Sequence, residues 1–153
     1  MANNDPAACY PAAALSAGAT IITDTREISS DDFFQGMFET ALEEGEIILS
    51  VRFPVPALSS YQKFVQPASR FAMVGVFLSN FDNGTRVAVT GASEEGVYRW
   101  SEAEVALNDD FSEAALNDLS IEPEGMISDI HASKEYRAHL VKVMTKRAVT
   151  DAS

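Results

Sequence analysis

Few side chains in this sequence are suited to acid–base or nucleophilic chemistry. His131 and His139 are the two histidines, and neither lies near a Gly-x-Ser-x-Gly motif or a metal-ligand pattern. The single cysteine, Cys9, lies in a helix-entry segment, where a helix N-terminus could activate its thiol or where it could be an inert small side chain. We therefore predict no catalytic residue of the hydrolase type and no metal ligands.

The segment that contains Cys9 opens with Asn4-Asp5-Pro6, a pattern typical of a helix start. Asn4 and Asp5 can cap free backbone N–H groups, and Pro6 or Pro11 fits the first helical position. A helix N-terminus also binds anions such as a pyrophosphate, usually together with a glycine-rich turn from the preceding chain. Two interpretations follow: a purely structural cap, or one edge of an anion site whose other parts are expected upstream of Met1.

A second segment, residues 61–75, combines basic, amide and aromatic side chains. It follows Pro54 and Pro56, which end a predicted strand and indicate a domain boundary. Ligand clefts are common at such junctions. The plainer interpretation is that Lys63 and Arg70 are solvated charges beside core aromatics.

The elements expected to hold these two segments begin with strands. Runs rich in β-branched residues predict strands over 19–23 and 46–53. The turn Asp82-Asn83-Gly84 predicts a hairpin between the apolar run 71–81 and the strand 85–90, and residues 96–100 add a third strand. Together these predict a small antiparallel sheet.

Helical signals dominate the rest of the chain. Asp31 and Asp32 are predicted to cap a short turn whose Phe33, Phe34, Met37 and Phe38 face a core by helical spacing. Ser101 with Glu104 fits a capping box, Ser112 opens another short helix, and Ser133 begins the last helix. Strands first and helices after indicate an α+β fold rather than alternating parallel units.

Composition excludes several classes of function. The chain has 153 residues, 46% of them apolar, which is enough for a real core of one domain or two small ones. Its net charge of −12 disfavours nucleic acids and anionic membranes as partners. One cysteine indicates a reducing compartment, and no apolar run is long enough for a membrane span or a signal peptide. A cytoplasmic location is expected.

Five stretches of the sequence occur in the order and spacing of one family. The chain resembles the FAD-binding medium subunit of the molybdenum hydroxylases, the group of aerobic carbon monoxide dehydrogenase and xanthine dehydrogenase. The resemblance covers essentially the whole chain but corresponds to the C-terminal half of such a subunit, so the glycine-rich flavin loops would lie upstream. It is carried by residues 4–8, 39–48, 52–54, 67–72 and 87–92, with 128–133 and 135–140 similar to the family's C-terminal domain.

The resemblance implies a fold and a set of flavin contacts. Residues 1–56 would be the C-terminal part of the FAD-binding domain, a remnant of antiparallel strands and short helices. Residues 57–153 would be a three-stranded antiparallel sheet packed on a helical bundle, as in the carbon monoxide dehydrogenase flavoprotein C-terminal domain. Relatives carry a second acid where this chain has Cys9, and Phe71 is the residue expected against the ring plane. The implied cofactor-binding residues are Asp5, Cys9, Ile48, Gln66, Arg70 and Phe71.

The implied function is electron transfer. Reducing equivalents would pass from a molybdenum-bearing large subunit, through an iron–sulfur small subunit, to FAD and then to an acceptor. The isolated chain would be inactive, because the loops that hold the flavin pyrophosphate are not in this sequence. The alternative is a non-catalytic interaction module that docks to partner subunits or self-associates without FAD. Sheet edges and apolar faces left open would favour a homo-oligomer.

Overall fold

A computed structural model describes residues 1–153 and contains three antiparallel sheets with helices packed around the largest of them. Helices and strands alternate irregularly along the first third of the chain, and the elements of the last third are all helices. In chain order the elements are α1 Cys9–Ala17, β1 Thr20–Thr23, β2 Glu27–Ser29, α2 Ser30–Phe33, β3 Phe34–Gly36, β4 Glu39–Thr40, β5 Ile48–Arg52, β6 Leu58–Val65, β7 Ala72–Phe81, β8 Gly84–Ser93, β9 Gly96–Arg99, α3 Ser101–Asp109, a 3₁₀ helix Glu113–Leu116 and α4 Lys134–Ala152.

The largest sheet has four strands in the order β6-β7-β8-β9. The predicted hairpin is present, because Phe81 pairs with Gly84 across a two-residue turn. The sheet has one strand more than the sequence predicted, since β6 pairs with β7 from Leu58 opposite Asn80 to Val65 opposite Ala72. The α+β class is confirmed.

Both faces of this sheet are covered. On one face Val87 and Val89 are fully buried in a core cluster of 20 residues that includes Leu140 and Met144 of α4. Ser133 caps α4 as predicted, its hydroxyl accepting a hydrogen bond from the Tyr136 N–H at 3.3 Å. No helix combines the length and the apolar character that a bilayer crossing requires.

The opposite face of the four-stranded sheet is covered by α1. Ala12 and Leu15 of this helix pack against Ala88 and Val97 of β8 and β9. Because side chains alternate along a strand, Ala88 points to α1 while its neighbours point to α4. The helix near the N-terminus is therefore part of the same packed body as the C-terminal sheet.

A smaller sheet, with strand order β2-β1-β5, stands beside the first. Ile21, Ile28 and Phe33 form its buried core, and Ile48 packs against them. Within this sheet β5 pairs only with β1, so its other edge has no neighbouring strand.

Helix α1 starts differently from the prediction. It begins at Cys9, and Ala8 stands at the N-cap without a side-chain cap. Asp5 instead accepts a hydrogen bond from the Ala7 N–H at 2.9 Å, within the loop before the helix. Asn4 is buried and donates its amide N–H to the carbonyl of Gly36 at 2.6 Å. The predicted cap is wrong because the side chain of Asp5 bonds within the loop before the helix and the side chain of Asn4 bonds to the β3–β4 hairpin.

Two further local predictions are corrected. Ser29, not an aspartate, caps the single turn α2, and Phe38 is exposed because residues 34–40 form a hairpin rather than a helix. Trp100 occupies the N-cap of α3. Glu104 does not complete a capping box, since its carboxylate accepts hydrogen bonds from the Val87 N–H at 2.9 Å and from Arg99.

Candidate functional site

A cleft of about 400 Å³ opens where the N-terminal loop, the start of β7, the end of β8 and the loop before α4 meet. It is the place where both segments singled out from the sequence come together. Its walls are apolar and amide in character, with one arginine, one aspartate and one histidine. The lining residues are Pro6, Ala7, Gln66, Ala68, Ser69, Phe71, Ala72, Met73, Gly91, Ile127, Asp129, His131 and Arg137.

The loop between β6 and β7 forms one wall of the cleft and is closed by its own backbone. The N–H of Gln66 donates to the carbonyl of Phe71, and the N–H of Arg70 donates to the carbonyl of Gln66, each at 2.9 Å. Arg70 has a φ of +65°, which a non-glycine residue adopts only when its surroundings hold it there. Lys63 helps to hold it, donating to the Arg70 carbonyl at 3.2 Å. As a result Phe71 presents its ring outward and is 63% exposed.

Gly91 fastens the N-terminal loop to the four-stranded sheet. Its N–H donates to the carbonyl of Pro6 at 2.7 Å, and the neighbouring Thr90 hydroxyl lies 2.9 Å from the same carbonyl. A Cβ atom at position 91 would lie 2.7 Å from the carbonyl oxygens of Ala72 and Met73. Glycine is therefore required both by this close approach and by a φ of +81°.

Arg137 of α4 crosses the base of the cleft and is 3% exposed. Its Nη1 donates to the carbonyls of Met73 at 2.6 Å and Gly91 at 2.8 Å, and its Nη2 donates to Asp129 at 2.7 Å. Partial burial opposes ionisation of Asp129, but backbone N–H groups of His131 and Ala132 together with Arg137 lower the pKa of its carboxyl. The pair is thus a fixed, internally neutralised ion pair that joins β7, β8 and the loop before α4.

Cys9 lies beside the cleft rather than in its lining. Its Sγ is 3.8 Å from Nζ of Lys63, the residue that also holds the Arg70 carbonyl. Together with Tyr61 and Phe77, Cys9 lines a separate apolar pocket of about 180 Å³. Burial, and secondarily the Cys9 thiol, raises the pKa of Tyr61 well above its usual range, so this phenol stays protonated.

The structure gathers some of the predicted site residues and separates others. Gln66 and Phe71 line the cleft opposite Pro6 and Ala7, which directly follow Asp5. Ile48 does not line the cleft and instead packs against the core of the small sheet. The backbone carbonyl of Arg70 and the Sγ of Cys9 both contact the Nζ of Lys63, so these two predicted residues lie beside the loop that forms one wall of the cleft.

Sequence reasoning missed Gly91 and the pair Asp129–Arg137. A signal for the pair was present, because Arg137 interrupts the apolar face of the last helix one residue after Tyr136 and follows Asp129 by eight residues. A buried arginine on such a face requires an acceptor nearby. Nothing in the sequence alone marks Gly91 among the eight glycines.

Comparisons with known proteins agree with this architecture. Residues 1–56 match the FAD binding domain in molybdopterin dehydrogenase. The nicotine 6-hydroxylase medium subunit of Paenarthrobacter nicotinovorans is 32% identical over 171 residues, covering 99% of this chain and 58% of that subunit. The glyceraldehyde dehydrogenase medium chain of Sulfolobus acidocaldarius is 30% identical, over 97% of this chain and 58% of that chain.

Solved structures give the same result for the fold. Reconstituted CO dehydrogenase from Oligotropha carboxidovorans superposes with a TM-score of 0.83 at 26% identity, covering 99% of this chain and 58% of that one. Quinoline 2-oxidoreductase from Pseudomonas putida 86 superposes with a TM-score of 0.79 at 27% identity, over 99% of this chain and 57% of that one.

The matched domain assigns residues 1–56 to the FAD-binding, molybdopterin dehydrogenase type, and the fold of the chain is similar to that of CO dehydrogenase. More particularly, the chain is a relative of the medium subunits of molybdenum hydroxylases such as carbon monoxide dehydrogenase and nicotine 6-hydroxylase. The resemblance stated from the sequence is confirmed, as is FAD as the cofactor of the family. The chain spans about 58% of the length of these relatives.

The cleft suits one portion of FAD better than another. The exposed ring of Phe71, with Ala7, Ala68 and Ile127, offers an apolar surface of the kind that a flat ring system contacts. A diphosphate instead needs backbone N–H donors or cations. Arg137, the one arginine in the lining, already donates to two carbonyls and Asp129, and the Gly91 N–H donates to Pro6. The residues therefore fit the ring system and do not provide a diphosphate site.

Proposed function

We propose that this chain is part of an FAD-binding medium subunit of a molybdenum-containing hydroxylase or dehydrogenase, and that its cleft forms one wall of the flavin site. The observation that carries the proposal is the exposed ring of Phe71 on a loop that its own backbone and Lys63 hold in place, facing the N-terminal loop of the matched FAD-binding domain. The diphosphate would be held by protein outside this chain.

The residues of the chain would position the flavin and keep water from it. Phe71 would cover the ring plane, and Gln66 would offer an amide at its edge. Asp5 and Cys9 at the entry of α1, with Arg70 and with Ile48 of the small sheet, are the further proposed contacts. Arg137 would keep the two cleft walls at a fixed separation, because it bonds both β7 and β8.

The flavin, when bound, supplies the redox chemistry by which electrons from an iron–sulfur small subunit and a molybdenum-bearing large subunit reach an external acceptor. The chain contributes no group of three or more histidine, cysteine or acidic side chains that could hold a metal ion. Both metal centres would belong to partner subunits. Electron transfer, the partner subunits and the flavin contacts are all part of the proposal.

The proposal is tested by removing the Phe71 ring in the assembled complex. A tagged copy of the chain is expressed in its source cells, and the complex that it captures is analysed for flavin by absorbance near 450 nm and by fluorescence. Stacking on an aromatic ring contributes about 1 kcal/mol, so Phe71→Ala should weaken flavin binding roughly five- to tenfold. Phe38→Ala removes a similarly exposed ring, 57% against 63%, from a residue that does not line the cleft. Equal flavin retention in the two variants would overturn the assignment of the cleft.

A second candidate is an interaction module that docks to partner subunits without a flavin. It is favoured by the lining of the cleft, because the one arginine there is paired with Asp129. Size-exclusion chromatography with a molybdenum-bearing large subunit distinguishes it. Co-elution with no bound flavin supports the module, and failure to co-elute at micromolar concentration counts against it.

A further inference from the structure

Three ionisable side chains line the cleft, and two of them are bonded to each other. Arg137 donates to Asp129 at 2.7 Å, and the Asp129 carboxylate also accepts hydrogen bonds from the N–H groups of His131 and Ala132. The third ionisable side chain is that of His131, which is exposed in the loop before α4. Its imidazole takes part in no hydrogen bond or salt bridge within the chain. His131 is therefore the one ionisable group of the lining that is not used to hold the fold.

His131 can change the charge of the cleft at near-neutral pH. Histidine is the side-chain type whose ordinary pKa lies between about 5 and 8. Arg137 and Asp129 cancel each other, so the lining is neutral while the imidazole is neutral. When both ring nitrogens carry a proton, the lining gains one positive charge. The charge of this wall thus follows pH through a single side chain.

The charged groups on the elements around His131 keep a constant charge over the same range. Lys134 at the start of α4 is paired with Glu94 at 3.5 Å, and the Ser133 hydroxyl lowers the pKa of the Glu135 carboxyl. Asp, Glu, Lys and Arg have ordinary pKa values outside the range from about 5 to 8. The other charged side chains within three residues of a lining residue are Asp5, Lys63, Arg70 and Glu124.

A flavin ring system, when bound, accepts electrons and carries more negative charge in its reduced form. We propose that His131 is the residue through which pH acts on the flavin site: its imidazole takes up a proton from solvent, and the positive charge favours the reduced ring over the oxidised ring. The proton binds to the ring nitrogen that is free in the neutral imidazole, and no other bond forms. By linkage, the proton and the electrons favour each other by the same factor. This inference rests on the proposed function, because it takes the cleft as a wall of the flavin site.

The expected effect is modest because His131 is exposed to solvent. Interactions between exposed charges are weak, so protonation should change the ratio of oxidised to reduced flavin at a given potential by about two- to fivefold. For a two-electron couple, in which a tenfold change corresponds to about 30 mV, this is a difference of about 10–20 mV in midpoint potential.

The test measures the midpoint potential of the flavin in the complex that a tagged copy of the chain captures from its source cells. Spectroelectrochemical titrations are made at about pH 5.5, where an ordinary imidazole is mostly protonated, and at about pH 8.5, where it is neutral. His131→Gln removes the titrating group, and His131→Lys supplies a positive charge at both pH values. His139→Gln is the matched control, because His139 is also exposed but does not line the cleft.

His131→Gln should lower the potential by about 10–20 mV at the lower pH and leave it unchanged at the higher pH. His131→Lys should raise the potential at the higher pH, and His139→Gln should match the unaltered complex at both. An effect of His131→Gln that is absent, that is equal at the two pH values or that His139→Gln reproduces would overturn the inference while the bound flavin upholds the proposed function. A captured complex without flavin would contradict the proposed function and the inference together.

Discussion

Gly91 permits a quantitative test of how the cleft is built. Its φ is +81°, and a Cβ there would lie 2.7 Å from two backbone carbonyl oxygens, those of Ala72 and Met73. Gly125 has nearly the same φ, +80°, but a Cβ at that position would have no atom within 4 Å. An alanine at position 125 would therefore suffer backbone strain alone, whereas an alanine at position 91 would suffer backbone strain and steric overlap. Comparing the two substitutions separates these effects.

The expected magnitudes follow from these two contributions. A left-handed backbone costs an alanine about 1–2 kcal/mol relative to glycine, so Gly125→Ala should lower the free energy of unfolding by that amount. Forcing a methyl group against two carbonyls that belong to a paired strand adds about 1–3 kcal/mol. Gly91→Ala should therefore cost about 2–5 kcal/mol, a large fraction of the roughly 5–15 kcal/mol that stabilises a typical domain.

Urea denaturation followed by circular dichroism measures both variants against the unaltered chain. The two variants should share its m-value and differ in midpoint. In Gly91→Ala the backbone amide of residue 91 should in addition exchange its hydrogen faster, because a displaced β8 would lose the hydrogen bond from this amide to the Pro6 carbonyl. Equal destabilisation by the two substitutions would refute the argument that the close approach of β7 and β8 requires glycine at position 91.

Three other predictions concern charges and colour. Arg137→Met should lower the free energy of unfolding, measured by urea denaturation, by about 2–4 kcal/mol. This is less than the roughly 3–5 kcal/mol expected for a fully buried ion pair, because Asp129 is 37% exposed. A loss below about 1 kcal/mol would contradict the role given to the arginine. Arg26, with Thr23 and the Glu43 N–H, holds the pKa of Glu46 far below its ordinary 4.5. The stability that Glu46 contributes is therefore complete above pH 4.5 and should be lost as the pH falls below that value. Glu46→Gln should reduce this loss of stability in acid, and an unchanged loss would exclude Glu46 as its cause. The purified chain alone should be colourless, and a stoichiometric absorption band near 450 nm would show that it binds flavin unaided.

Local patterns predicted the elements whose residues contact their own sequence neighbours. The β7–β8 hairpin depends on a two-residue turn, and α4 depends on the Ser133 cap and a regular apolar face, so both could be read from short windows. The α1 cap failed because Asn4 makes its bonds 32 and 35 residues away, to Gly36 and Glu39. Rules based on neighbouring residues, such as helix-cap preferences, cannot predict a hydrogen bond over this sequence distance.

The cleft could be predicted from the sequence only where its residues lie on one short segment of the chain. Gln66 and Phe71 lie on one loop, and the family resemblance placed that loop near the N-terminal segment. Arg137 reaches the cleft from the far end of the chain, 46 residues from Gly91 and 64 from Met73. Its role depends on the packing of α4 across the sheet, which sequence spacing does not encode.

The packing of α1 on the four-stranded sheet determines what would happen if the link between β5 and β6 were cut. The link passes through Pro54 and Pro56, and Val55 within it is 91% exposed, so it has the features of a connector between domains. Yet the two pieces on either side of it share an apolar interface, since Ala12 and Leu15 lie against Ala88 and Val97. Cutting the connector would leave a noncovalent pair of fragments that denatures in one cooperative transition, as a split protein does, rather than two domains that melt separately.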